Sequence, residues 1–182
     1  MAAIERLGFI GLGVMGGRMC RNLAKKSGKP IIAFDLSKER AAALEPDGVA
    51  IADSVAEVAA KADMVFLCLP GEVQVRAVCF GDDGLIGASR RGQTVVDMTT
   101  ATVDVDREVA AELAAKGVDF ADAPIARGVP SAEDGTLAIT VGASDEIFER
   151  IHPFLSCMGT EISHCGGVGT GQVMKLMNNM LV

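Results

Sequence analysis

Lys175 and Asn179 stand four residues apart in "GTGQVMKLMNNMLV", the run from Gly169 to Val182. Helical spacing puts residues i and i+4 on one face, so an ammonium and an amide would point the same way. A cation beside a carbonyl oxygen stabilises the negative charge that grows there in a transition state. Burial beside a bound ligand lowers a lysine pKa toward the range of a working acid or base. Taken alone, the pair equally fits a solvated helix surface, the ordinary setting of lysine. A second set of residues suits a different chemistry. Gly11-Leu12-Gly13-Val14-Met15-Gly16 follows a short apolar run and opens an amphipathic one, the G-x-G-x-x-G spacing of a phosphate loop. There the first glycine makes the tight turn, the second admits a pyrophosphate, and the third lets helix and strand pack closely. The helix N-terminus adds unpaired N–H groups and a partial positive charge.

Asp35 ends the next apolar run, 24 residues beyond Gly11, with Leu36 adjoining it. An acid at that spacing accepts hydrogen bonds from the adenosine ribose hydroxyls and repels a 2′-phosphate, which favours NAD over NADP. Lys38 partly offsets that repulsion. The competing reading leaves the glycines to pack a βα turn and Asp35 to cap the second helix. The third candidate is Arg127, in Ala126-Arg127-Gly128. Its guanidinium suits bidentate contact with a carboxylate, sulfonate or phosphate, or else a surface ion pair with Glu133 or Asp134. Thr99 and Thr100 end a strand where they contact a nicotinamide or form an ordinary turn. His164, Cys165 and the methionines of the last helix read as structural.

These residues need positioning by regular elements. Strand-like runs at 7–11, 31–35, 49–52, 63–70 and 93–98 alternate with helix-like stretches at 14–28, 37–45, 54–61 and 102–116. Such alternation predicts an α/β fold of Rossmann type, with a doubly wound, mainly parallel sheet covered by helices on both faces. After residue 117 the pattern changes. "VDFADAPI" and "LAITVGA" read as strands separated by the polar loop "ARGVPSAEDGT", with no helix between them, and so as antiparallel additions to the sheet edge. A helix over 144–157, a strand "TEISHCG", the glycine-rich hinge 166–171 and the final helix complete the chain.

Composition narrows the function classes. The chain has 182 residues, 49% hydrophobic and 23% charged, with 21 glycines and neither tryptophan nor tyrosine. A net charge of −7 and a pI near 4.8 argue against a nucleic-acid surface, which needs concentrated basic residues. No apolar run approaches the roughly 20 residues of a membrane span, and no signal peptide opens the chain. Five cysteines without a C-x-x-C, and only two histidines, make a metal site unexpected and suit free thiols in a reducing cytoplasm.

Five motifs in order resemble the β-hydroxyacid dehydrogenases, the family typified by 3-hydroxyisobutyrate dehydrogenase. "GFIGLGVMGGRM" resembles the family's cofactor motif, and "FLCLP", with Leu69 and Pro70, its strand-end segment over the cofactor. "DMTTAT", with Thr100, resembles its D-x-S-T element, "DAPIARGVPSAEDGTL" its substrate loop, and "GTGQVMKLMNNM" its G-x-x-x-K-x-x-N-N helix. The resemblance implies that Lys175 is the catalytic acid/base and that Asn179 orients it or the substrate. It also implies that Ala126, Arg127, Gly128 and Asn178 meet a small anionic hydroxyacid or aldehyde acid. The substrate loop departs from the family's D-x-P-V-S-G-G pattern by losing the serine and gaining Arg127, as in sulfolactaldehyde reductases. This departure weakens the case for 3-hydroxyisobutyrate itself. Residues 1–165 are then a dinucleotide-binding domain and 166–182 a hinge with the start of an interdomain helix. The family's C-terminal all-helical domain, which closes the cleft and supplies most of a homo-oligomer interface, is absent. The rival expectation is a dinucleotide-binding module without turnover of its own.

Overall fold

The computed structural model describes residues 3–181. Strand β1 (Leu7–Ile10) is fully buried and pairs in parallel with β2 (Ile31–Phe34) on one side and β4 (Met64–Leu67) on the other. Beyond β2 lies β3 (Val49–Ile51), and beyond β4 lie β5 (Thr94–Asp97) and β6 (Asp119–Asp122), all parallel. The order β3-β2-β1-β4-β5-β6 is that of a doubly wound dinucleotide-binding sheet. Its strands are short apolar runs because helices cover both faces and leave no polar side.

One face packs α1 (Gly16–Lys26) and α8 (Asp145–Leu155) over Phe9, Phe66, Met64 and Val96. The other packs α3 (Val55–Lys61), α4 (Glu72–Phe80), α5 (Leu85–Ala88) and α6 (Val103–Ala115) over Val65, Leu67, Val95 and Phe120. Helices α2 (Lys38–Ala42) and α3 begin where expected. Ser37 Oγ and Ser54 Oγ accept from the Arg40 and Glu57 backbone N–H groups, as N-caps do.

The C-terminal third corrects two expectations. "VDFADAPI" is not one strand: β6 stops at Asp122, and the two-residue β7 (Ile125–Ala126) follows Pro124. Proline has no N–H to continue the ladder, so the strand breaks there, and the chain leaves β5 while staying on β8. The polar loop is a helix, α7 (Gly128–Asp134), in which Pro130 sits in the first turn, where a missing N–H costs nothing. Strand β8 (Leu137–Gly142) runs antiparallel to β6 and β7, as expected of an edge addition, and parallel to β9 (Gly159–Gly166). Helix α9 (Thr170–Leu181) then lies against β8 and β9.

Candidate active site

The glycine loop between β1 and α1 forms the floor of a cleft of about 900 Å³ at the C-terminal ends of the parallel strands. Such sheets bind ligands there, at the point where strand order reverses. Gly11 has φ +93°, and Gly16 has no room for a Cβ, which would run into the Gly11 carbonyl. Gly13 differs: a Cβ there would meet nothing within 4 Å and would point into open space. That bare backbone is the cradle an anionic pyrophosphate needs. The buried Leu12 side chain stays outside the cleft, while its N–H donates to Asp35 Oδ2 at 2.7 Å. Asp35 Oδ1 accepts from the Ser37 N–H at 2.8 Å. The carboxylate is thereby aimed into the cleft it lines, and each oxygen keeps capacity for a ribose hydroxyl. Capping of α2 falls to Ser37, so Asp35 is not the helix cap.

Val14, Met15, Leu36, Leu69, Pro70 and Thr100 also line the cleft. Thr99 lines it beside Thr100 but is buried, and its hydroxyl accepts from the Leu69 N–H at 3.0 Å, tying the β4 and β5 ends together. Ala126, Arg127, Gly128 and Lys175 stand on the cleft wall as well, so one space joins the phosphate loop, the ribose acid and both candidate substrate cations. Asn178 and Asn179 are exposed and are not among the residues lining it. Partial burial holds the Lys175 ammonium below the usual lysine range.

Arg127 corrects the sequence expectation of its partner. Its guanidinium pairs with Glu161 of β9, and Nη1 donates to the Thr136 carbonyl at 3.3 Å, whereas Glu133 pairs with Arg18 at 2.6 Å. The residue has φ +87°, the one left-handed non-glycine conformation among the described residues. For an L-residue this costs on the order of 1 kcal/mol, a strain found most often at ligand sites. A cation near Asp35 also differs from expectation: Arg40, one helical turn into α2, lines the cleft and Lys38 does not. Gln74, Ala77 and Val78 of α4 were missed as well. The signal was present in the 3.6-residue spacing of Val75, Val78 and Cys79, two of them buried.

Helix α9 is held from below. Asp122 Oδ1 accepts from the Gly169 N–H at 2.6 Å and Oδ2 from the Gln172 N–H at 2.8 Å. An anion at a helix N-terminus satisfies unpaired donors and complements the dipole. Gln172 Nε2 donates to the Thr99 carbonyl at 2.7 Å, and its Oε1 accepts from the Ala101 N–H at 3.2 Å. The second half of the glycine-rich segment 166–171 is therefore held by a polar clamp. His164 and Cys165 take no part in the cleft: His164 stacks on Phe148 at 4.4 Å and its Nε2 lies 2.8 Å from the Ala143 carbonyl. The described residues hold no cluster suited to a metal ion and no helix long and apolar enough to cross a membrane.

Known proteins with this arrangement give it a lineage. Residues 6–167 match the family described as the NAD binding domain of 6-phosphogluconate dehydrogenase. The 2-(hydroxymethyl)glutarate dehydrogenase of Eubacterium barkeri is 40% identical over 177 residues, covering 97% of this chain and 58% of that protein. This chain belongs to the β-hydroxyacid dehydrogenase family. Mouse mitochondrial 3-hydroxyisobutyrate dehydrogenase is 38% identical over 182 residues, 100% of this chain and 54% of its own length. Among solved structures, Mycobacterium tuberculosis 3-hydroxyisobutyrate dehydrogenase with L-serine superposes with a TM-score of 0.91 at 36% identity, covering 98% of this chain and 60% of that one. The chain thus spans a little over half the length of the family members it matches. The open Gly13 backbone and the oriented Asp35 fit the NAD that a domain of this family binds.

Proposed function

We propose that this chain is the cofactor-binding part of an NAD-dependent oxidoreductase that interconverts a small β-hydroxyacid and the related aldehyde acid. The observation carrying the reading is that Lys175 lines the same cleft as the glycine loop and Asp35. Bound NAD supplies a nicotinamide that exchanges hydride with the hydroxyl-bearing carbon. The chain's own groups do the rest. Asp35 and the 11–16 amides hold the dinucleotide, and Thr100 borders its nicotinamide end. Lys175, as the neutral amine, takes the hydroxyl proton during oxidation, and as the ammonium returns it to the forming alkoxide during reduction. Its lowered pKa makes both forms accessible nearer neutrality. Asn179, one turn further on, orients the lysine or substrate, and Asn178 assists.

Arg127, with Ala126 and Gly128, receives the substrate's anionic end, exchanging Glu161 for a carboxylate or sulfonate. NAD is preferred to NADP because Asp35 repels a 2′-phosphate. Residues 1–165 form the dinucleotide-binding domain, and 166–182 the hinge and opening of an interdomain helix. In the working enzyme the chain is part of a homo-oligomer. We place it in the cytoplasm on its five free thiols. Cell fractionation decides this, since some relatives are mitochondrial by name.

The test is NADH formation with a panel of short hydroxyacids, alongside calorimetry with NAD and NADP. Tighter NADP than NAD binding would overturn the role of Asp35. A second reading, a dinucleotide-binding module with weak or no turnover by itself, is favoured by the outer part of α9, where Met180 and Leu181 are more than four-fifths exposed. Turnover at ordinary enzyme rates by the 182-residue chain would sink it.

A further inference from the structure

Beneath the cleft lie three carboxylates from different elements, all with no exposed surface: Asp97 at the end of β5, Asp106 in α6 and Asp122 at the end of β6. Asp122 is fully used by α9. The other two are not. Asp97 Oδ1 accepts from the Thr99 N–H at 2.8 Å, but Asp97 Oδ2 and both Asp106 oxygens make no well-formed hydrogen bond among the described residues, with the Gln172 side chain bearing on Asp106 and the Thr99 side chain on Asp97. The two side chains lie close enough for each to act on the other. Two ionised carboxylates have only acceptors to offer, so such contact requires a proton between them. The surroundings supply no cation to replace it. The titratable groups bearing on the pair are Asp122 of β6 and the thiols of Cys68 after β4 and Cys79 in α4, beside the neutral Thr99 and Gln172 side chains. Arg107 of α6 is exposed and lies against Gly169.

We propose that Asp97 and Asp106 share one proton and act as a single monoanionic positioning unit. Protonated Asp106 donates to Asp97, and Asp97 holds the Thr99–Ala101 turn that Gln172 ties to the Lys175 helix. The turn joins Leu69, on the cleft wall, to the first turn of α9, so its position bears on both at once. Burial, and then the charge of Asp97, push the Asp106 carboxyl well above the ordinary carboxylate range. Burial raises Asp97 too, against the hydrogen bonds from Thr99. Both shifts favour retention of the proton at neutral pH. When it leaves, two buried charges face each other with no cation between them, and α6 is pushed from β5 just beneath Thr99.

The sign follows from proton linkage. A carboxyl whose pKa is raised on folding contributes stability that is complete below the unfolded value, about 4, and lost as pH rises through the folded value. For one retained proton the folding equilibrium constant falls by about tenfold per pH unit across that window. The role in positioning rests on the reading that the cleft binds NAD and that Lys175 works in it.

Infrared spectroscopy on the 182-residue chain tests the shared proton directly. A protonated-carboxyl C=O stretch is expected to persist at neutral pH and to vanish in Asp106→Asn. In Asp106→Asn, whose amide N–H can still donate to Asp97, thermal unfolding followed against pH should lose the one-proton slope. Asp106→Ala, with no donor, should lower the folding equilibrium constant at neutral pH by about tenfold or more. NAD affinity of the unaltered chain should weaken as pH rises into the alkaline range, and this weakening should be absent in Asp106→Asn. No carboxyl band at neutral pH, or an alkaline slope unchanged in Asp106→Asn, overturns the shared proton. A band and slope as expected, with NAD affinity independent of pH, overturn the positioning role. If NAD fails to bind while band and slope persist, the cofactor reading falls and the shared proton stands.

Discussion

At Gly16 a methyl group would run into the Gly11 carbonyl, whereas at Gly13 it would meet nothing within 4 Å. The same substitution therefore has opposite consequences at two positions of one motif. Gly16→Ala should destabilise the fold by about 1–3 kcal/mol, as overpacking does, with a lowered thermal midpoint. Gly13→Ala should leave stability within about 0.5 kcal/mol and still weaken NAD binding, because its methyl occupies the approach to the backbone amides. Equal loss of stability in the two variants would contradict this division of labour. Lys175→Ala should reduce turnover of the active enzyme by about a hundredfold or more while NAD affinity stays near that of the parent. The oxidation rate should climb with pH along a limb that ends below the ordinary lysine value of about 10.4. The type and spacing of these residues were legible in the sequence. The partner of Arg127 was not, because Glu161 lies 34 residues away and only the β7–β8 and β8–β9 pairings together bring the two close.

Elements set the precision with which those groups meet. Helix α9 presents Lys175 because its first turn hangs on Asp122 and Gln172, not because its sequence is a strong helix former. Asp122→Ala leaves the Gly169 and Gln172 N–H groups without their acceptor in a buried place, at a cost of about 1–3 kcal/mol. Amide hydrogen exchange should show the effect confined mainly to α9 and the end of β8. Protection lost evenly over the whole chain would refute a local cap. The α2 cap and the parallel strands followed from short-range signals, namely a serine before a helical run and short continuous apolar runs. Helix α7 escaped because Gly128, Pro130 and Gly135 look like breakers in one dimension. In three dimensions the glycines stand at its ends, both with positive φ, and the proline in its first turn.

On the scale of the molecule, charge and exposed apolar surface govern behaviour in solution. The Arg21 hydrogen bond holds Asp47 below the ordinary carboxylate range, so its contribution is present above about pH 4 and lost as pH falls through the lowered value. Burial raises Asp97, Asp106 and Asp122, and their contribution is lost as pH rises. Thermal unfolding should therefore give a maximum on the mildly acidic side of neutrality. A midpoint that climbs steadily to alkaline pH would contradict it. Val173, Met174, Met177, Met180 and Leu181 leave an apolar stripe exposed on α9. The 182-residue chain should self-associate through it, and Met180→Lys should shift sedimentation toward the monomer.

Sequence alone showed the alternation of strand and helix, the G-x-G-x-x-G turn with an acid at the end of the next strand, and the lysine on a helix face. These depend on contacts within a few dozen residues or on the backbone needs of glycine. Only the tertiary structure decided that Lys175, Arg127 and Asp35 share one cleft and that Asp122 caps the helix from another strand. The buried Asp97–Asp106 pair likewise belongs to it. Each of these joins groups distant along the chain, and the free energy that joins them comes from packing both faces of one sheet, which no local pattern encodes.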